Sequence, residues 1–267
     1  MIFIQNLGLI VTNKCNIDCK HCSRGCKNNN DMKKEVIDKV LEECKYIGNL
    51  CLLGGEITLS TEILEYLFNK IIENRIIVQE MTTVINGTNY SEEFLRLLDY
   101  LNNYIESYMN KGSSNTTFTL SLDKYHLEEI KRLNMEDSYK ESMRRYSSSI
   151  HFYGYQILKP NKKLFREGNA VLLDKNITVP LRHSNYYVTY AGKEKLCNVG
   201  PIVCINTNGI YTECDASIKS QEDVFNYGNV LDTSIEEFAK TYGKVVRPFM
   251  WNIKTNLETK KYQSYNK

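Results

Sequence analysis

The chain has 267 residues, 34 Lys plus Arg against 32 Asp plus Glu, a formal net charge of +2 and 42% hydrophobic residues. That length can build a large core without disulfide staples, and the near-neutral balance argues against a broad electrostatic grip on nucleic acid. No apolar run reaches the roughly 20 residues that cross a bilayer. The apolar opening MIFIQNLGLIVTNK lacks a basic start and a cleavage site, so it reads as a strand of a cytoplasmic protein rather than a signal peptide.

Residues 2–11 predict a buried strand. Residues 31–47 carry Val36, Ile37, Val40, Leu41, Cys44 and Ile47 at the spacing of one helical face. A short apolar strand over 49–53 ends at Gly54-Gly55. Ile63, Leu64, Leu67, Phe68, Ile71 and Ile72 repeat the helical period over 61–74, with Ser60 or Thr61 to cap them. A strand over 76–85 breaks at Asn86-Gly87. Ser91 caps a helix facing inward through Phe94, Leu95, Leu98, Leu101 and Ile105. Strands over 116–122, 150–158 and 176–181 follow, with a polar helical region to about 148 between the first two. This alternation predicts parallel strands joined by crossover helices, an α/β fold in the form of a partial (β/α)6 TIM-like barrel. The working face of such a barrel is the C-terminal end of its strands. The unusual residues fall there: a cysteine cluster after the first strand, Gly54-Gly55-Glu56 after the second, Asn86-Gly87 after the third and Ser121-Leu122-Asp123 after the fourth.

The nine cysteines are unevenly placed. Four lie within twelve residues, at Cys15, Cys19, Cys22 and Cys26, and three sit late, at Cys197, Cys204 and Cys214. Without a secretion signal, such clusters point to metal ligands more than to disulfides. The spacing of CNIDCKHC lets three thiolates surround one corner of a four-iron cluster and leave the fourth iron open to an outside ligand. The alternative is a zinc knot using these three with Cys26 or His21. Cys44 and Cys51 read as core residues.

The CxxxCxxC loop after a first strand resembles the signature of the radical S-adenosylmethionine (SAM) enzymes. The resemblance implies that Cys15, Cys19 and Cys22 hold a 4Fe–4S cluster whose open iron is chelated by SAM. It implies that Gly54, Gly55 and Glu56 contact the SAM amino group, that His21 lies near the adenine, and that Ser121 and Asp123 contact the ribose or carboxylate. Ile57 stands where the family usually has proline. Residues 197–214 resemble the SPASM or twitch extension of these enzymes: eleven residues separate Cys197 from Gly209 and four separate Gly209 from Cys214. This implies a second domain, 191–267, a small β-hairpin and helix extension following a core of 1–190. It admits an auxiliary 4Fe–4S cluster on Cys197, Cys204 and Cys214. No cysteine follows Cys214, so a non-cysteine ligand such as Asp215, a zinc ion, or a metal-free hairpin with packed thiols are alternatives.

The chemistry implied is reductive cleavage of SAM to a 5′-deoxyadenosyl radical that abstracts hydrogen from a substrate, with an electron donor such as flavodoxin or ferredoxin. Candidate lining residues are Asp123, His126, His151, Tyr153, Arg182 and His183, with Asp123 and His126 as an acid/base pair. Tails of this kind occur on peptide modifiers and on oxidases of small molecules. We expect peptide or protein side-chain modification, with small-molecule oxidation as the alternative. An N-terminal recognition domain finds no room before strand one, which leaves that role to a separate recognition protein. The competing class is a non-catalytic, zinc-stabilised interaction module.

Overall fold

The computed structural model describes residues 2–109, 114–158, 162–191 and 196–246. Residues 247–267 of the expected extension lie outside them.

Five parallel strands follow chain order across one sheet: β1 (Ile2–Thr12), β2 (Cys44–Gly54), β3 (Ile77–Ile85), β4 (Thr116–Ser121) and β5 (Phe152–Gln156). Crossovers carry α1 (Lys34–Glu43), α2 (Thr61–Glu73), α3 (Glu92–Glu106), α4 (Lys124–Arg132) and α5 (Glu136–Ser147). The parallel α/β fold expected of the sequence is therefore present. Alternate strand residues, Leu7, Leu9 and Val11 on β1 and Leu50 and Leu52 on β2, join one core cluster with Val36, Val40, Leu64 and Phe68 of the helices. Full burial of each such side chain stabilises by roughly 1.5–3 kcal/mol.

Two elements differ from expectation. The helix over 31–47 stops at Glu43, and Cys44 opens β2. Ile2 of β1 pairs with Cys44, so the ladder overrides the helical period there. Cys44 remains a core residue. The sixth strand shrinks to β7 (Thr178–Val179), which pairs with β6 (Leu164–Phe165) in a separate two-stranded sheet. The main sheet instead grows on the other edge of β1. There, β9 (Leu196–Gly200) and β10 (Val203–Ile205) run parallel to β1 one after the other. β8 (Tyr186–Ala191) is antiparallel to β9, and β11 (Tyr211–Thr212) to β10. Thus part of the stretch expected as an extension shares a sheet with the core. Its hairpin turns at Gly209 as expected. A helix α6 (Ile218–Glu222) and α7 (Ile235–Tyr242), capped by Ser234, follow, and β12 (Gly243–Val245) closes the edge beside β8. Phe238 of α7 stacks on Tyr211 with ring centroids 4.1 Å apart. No described helix is long and apolar enough to cross a membrane.

Candidate functional site

The loop that carries Cys15, Cys19 and Cys22 leaves β1 at Thr12 and is cinched at its base. Asn13 N donates to Asn30 O and Met32 N to Val11 O, each at 2.8 Å. Thr12 Oγ1 and Ser60 Oγ donate to Asp31 Oδ1 at 2.7 and 2.6 Å, and Lys14 Nζ reaches Asp31 Oδ2 at 2.6 Å. Burial pushes the Asp31 carboxyl up, but its bonds from Lys14, Ser60 and Thr12 outweigh this and hold it below the usual carboxylate range.

The Gly54-Gly55-Glu56 segment lies against this loop. Gly55 N donates to Thr12 O at 3.0 Å and Glu56 N to Lys14 O at 2.7 Å. A Cβ at Gly55 would stand 2.8 Å from the Lys14 carbonyl carbon and 2.9 Å from Cys15 Cβ. The absence of a side chain therefore serves the close crossing of two backbones. Glu56 is turned inward and only 1% exposed. Its Oε1 accepts from Thr58 N and Oγ1 at 3.2 and 2.6 Å, and its Oε2 from Asn86 N at 2.6 Å. Burial pushes this carboxyl up. The carboxylate thus braces the ends of β2 and β3.

Asn86, expected at the working face as part of a turn, is a junction. Its Nδ2 donates to Asn16 Oδ1 at 2.9 Å and approaches Cys15 Sγ at 3.9 Å, and its carbonyl accepts from His126 Nε2 at 2.8 Å. His126 Nδ1 lies 3.7 Å from Cys19 Sγ. Asp123 caps α4 through Tyr125 N and His126 N at 3.0 and 3.1 Å, and its Oδ2 lies 3.3 Å from His21 Nε2. His21 also stacks on Tyr125 at 5.2 Å. Asp123 and His126 are both buried; Asp123 Oδ1 accepts from His126 N, while the Asp123 carboxylate also reaches His21 and the His126 ring reaches Cys19. Burial lowers the His126 pKa; at Asp123 burial acts upward but His21 outweighs it and the carboxyl sits low. Ser121 ends β4 at the same mouth, its carbonyl accepting from Tyr139 Oη at 2.8 Å.

Burial pushes the Cys15 thiol up to about 11, and burial together with the Cys22 and Cys15 thiols raises Cys19. Among the described residues no three His, Cys, Asp or Glu side chains converge tightly enough for a single metal ion. Three cysteine thiolates are the kind of donor set that iron–sulfur clusters use. His21 Nδ1 is buried without a hydrogen-bond partner in this same loop, as an atom awaiting a ligand would be. Cys26 is exposed.

The late cysteines separate. Cys204 pairs in register with Gly8, and a Cβ on Gly8 would meet Cys214 Sγ at 3.1 Å and Cys204 Sγ at 3.4 Å. Cys51 pairs with Gly8 from the other side and so belongs to this thiol group, which spacing along the chain did not reveal. Cys197 pairs with Ile2, six residues earlier on β1, and packs in the core cluster. Six strand residues span about 20 Å, so Cys197 is not brought to Cys204 and Cys214. Nor are all the expected lining residues at the mouth. His151 is buried before β5, bound to Asp99 at 2.9 Å and Thr116 at 2.9 Å. His183 bonds Tyr227 at 2.6 Å, Tyr153 is exposed on the edge strand, and Arg182 is exposed.

Comparison with known proteins agrees with this arrangement. The solved structure described as native anSMEcpe with bound AdoMet and Cp18Cys peptide superposes with a TM-score of 0.50 at 14% identity, over 88% of this chain and 80% of that one, and shares the fold. Streptococcus suis SuiB bound to precursor peptide SuiA gives 0.41 at 12% identity, over 90% of this chain and 65% of that one. No curated protein matches. Residues 9–152, more than half the chain and the whole stretch from the cysteine loop to β5, match the family described as Radical SAM superfamily. With its three-cysteine loop at the mouth of a parallel α/β sheet, this chain belongs to the radical SAM superfamily.

Proposed function

We propose that Cys15, Cys19 and Cys22 hold a 4Fe–4S cluster and that SAM occupies the mouth between the cysteine loop, Gly54-Gly55 and Ser121. The observation that carries this is the cysteine loop itself, cinched at Thr12–Asp31 and packed on Gly55 at the C-terminal end of the strands. When bound, the cluster and SAM supply reductive cleavage to a 5′-deoxyadenosyl radical and hydrogen abstraction from substrate. The chain's own residues bind and orient. Carbonyls at Gly54-Gly55 accept from the SAM ammonium, and His21, held by Asp123 and Tyr125, lies beside the adenine. Asp123 and His126 act on the cysteine loop through His21 and Cys19, and they also serve as the acid/base pair beside the substrate.

The substrate proposed is a peptide or protein side chain. The neighbour described with Cp18Cys peptide supports that reading. A separate recognition protein would deliver the peptide. A thiolate-bound cluster suits a reducing compartment, so the proposal places the enzyme in the cytoplasm with a low-potential donor such as flavodoxin or ferredoxin. It extends to an auxiliary cluster drawing on Cys204, Cys214 and the adjacent Cys51, and releases Cys197 from that role. The described residues of the extension then contribute a second site from strands that pair with β1.

Anaerobic reconstitution, iron and sulfide counts and dithionite-driven SAM cleavage test this. About four irons mean one cluster and about eight mean two. Alanine at Cys15, Cys19 or Cys22 should abolish 5′-deoxyadenosine formation. Colourless protein holding only zinc would decide for a non-catalytic module.

A further inference from the structure

The described part of the stretch between β5 and β8 does not complete the main sheet. It folds over the cysteine loop, and two of its residues touch the loop's backbone directly. Asn169 N donates to Cys22 O at 2.9 Å. Asn169 Nδ2 donates to Cys19 O at 3.1 Å and to Asp18 Oδ1 at 2.8 Å. Gly168 has φ +53°, and a Cβ there would stand 2.6 Å from Cys22 O. Only a residue without a side chain can bring Asn169 down onto the loop at that point. Neighbouring bonds hold the clip in place: Glu167 Oε2 accepts from Ser217 N at 3.0 Å, and Arg24 Nη1 donates to Ala216 O at 3.1 Å.

We infer that Gly168 and Asn169 are positioning residues for the cysteine loop, acting on the carbonyls of Cys19 and Cys22. Cys19 O already accepts from Cys22 N at 3.1 Å, the one turn that links these two cysteines. Asn169 takes the remaining acceptor capacity of that carbonyl and caps the next. Both peptide groups adjoin thiols that the proposed function makes cluster ligands, so the consequence for the cluster rests on that reading, whereas the grip on the loop does not. Each carbonyl has its partial negative charge compensated by an N–H of residue 169. Without that compensation the field at the neighbouring thiolates becomes more negative, and a bound cluster is harder to reduce.

Two measurements on the full chain test this separately. In the metal-free protein, hydrogen exchange of the amides of residues 18–25 should quicken about tenfold in Asn169→Ala, the factor expected for loss of one or two net hydrogen bonds. Gly168→Ala should produce the same local loss by lifting Asn169 off the loop. In reconstituted protein, Asn169→Ala should keep its iron, show a lower cluster reduction potential and raise the KM for SAM more than it lowers kcat. Asn169→Asp should lower the potential further. Unchanged exchange in both metal-free variants overturns the inference whatever the metal results. Changed exchange in a protein that binds no cluster sustains the clip and refutes the proposed function. Changed exchange with an unaltered potential and KM in loaded protein overturns the positioning role.

Discussion

Asp31→Asn tests how the cysteine loop is anchored. The native carboxylate accepts from Thr12 and Ser60 on one oxygen and pairs with Lys14 on the other. Asparagine keeps one acceptor oxygen but turns an amide toward the Lys14 ammonium. Hydrogen bonds to a charged group contribute about 1.5–3 kcal/mol, while an ion pair this open to water adds roughly 0–1 kcal/mol. We expect Asp31→Asn to cost about 2–3 kcal/mol, the charged bonds being only partly replaced. The pH dependence has a definite sign. The native carboxyl sits below its unfolded value, so its contribution is complete above the unfolded pKa of about 3.9 and lost as pH falls through the native value. Denaturant unfolding of the metal-free protein at neutral pH should show the full difference. The two proteins should converge in acid, below the native pKa. Equal stability at neutral pH, or a gap that persists unchanged in strong acid, would refute the reasoning.

Gly55→Ala should lose bound iron and about 1–3 kcal/mol of stability, because its methyl meets the Lys14–Cys15 backbone; iron counts and a melt check this. Phe238→Ala should cost about 3–5 kcal/mol, since its ring is fully buried and stacked on Tyr211, with no direct effect on the first cluster's spectrum. Alanine at Cys204 or Cys214 should remove about four irons from an eight-iron protein, and alanine at Cys197 should remove none. Equal loss at all three would restore the hairpin-spacing reading.

Much of this protein was legible in one dimension. Hydrophobic periodicity located the first five strands and the helices between them, because each packs by a local repeat. The CNIDCKHC spacing marked the site, since a short loop places its own ligands. Only the tertiary structure decided the rest. The ladder from Ile2 to Cys44 turned a helical period into a strand. Burial and three hydrogen bonds showed Glu56 bracing Thr58 and Asn86, contacts the motif alone did not reveal. Register, not spacing, gathered Cys51 with Cys204 and Cys214 around Gly8 and left Cys197 apart, because a six-residue offset along β1 carries a thiol about 20 Å down the sheet. Asn169 carries no motif at all; its hold on Cys19 and Cys22 exists only because a stretch about 150 residues later folds back over the loop.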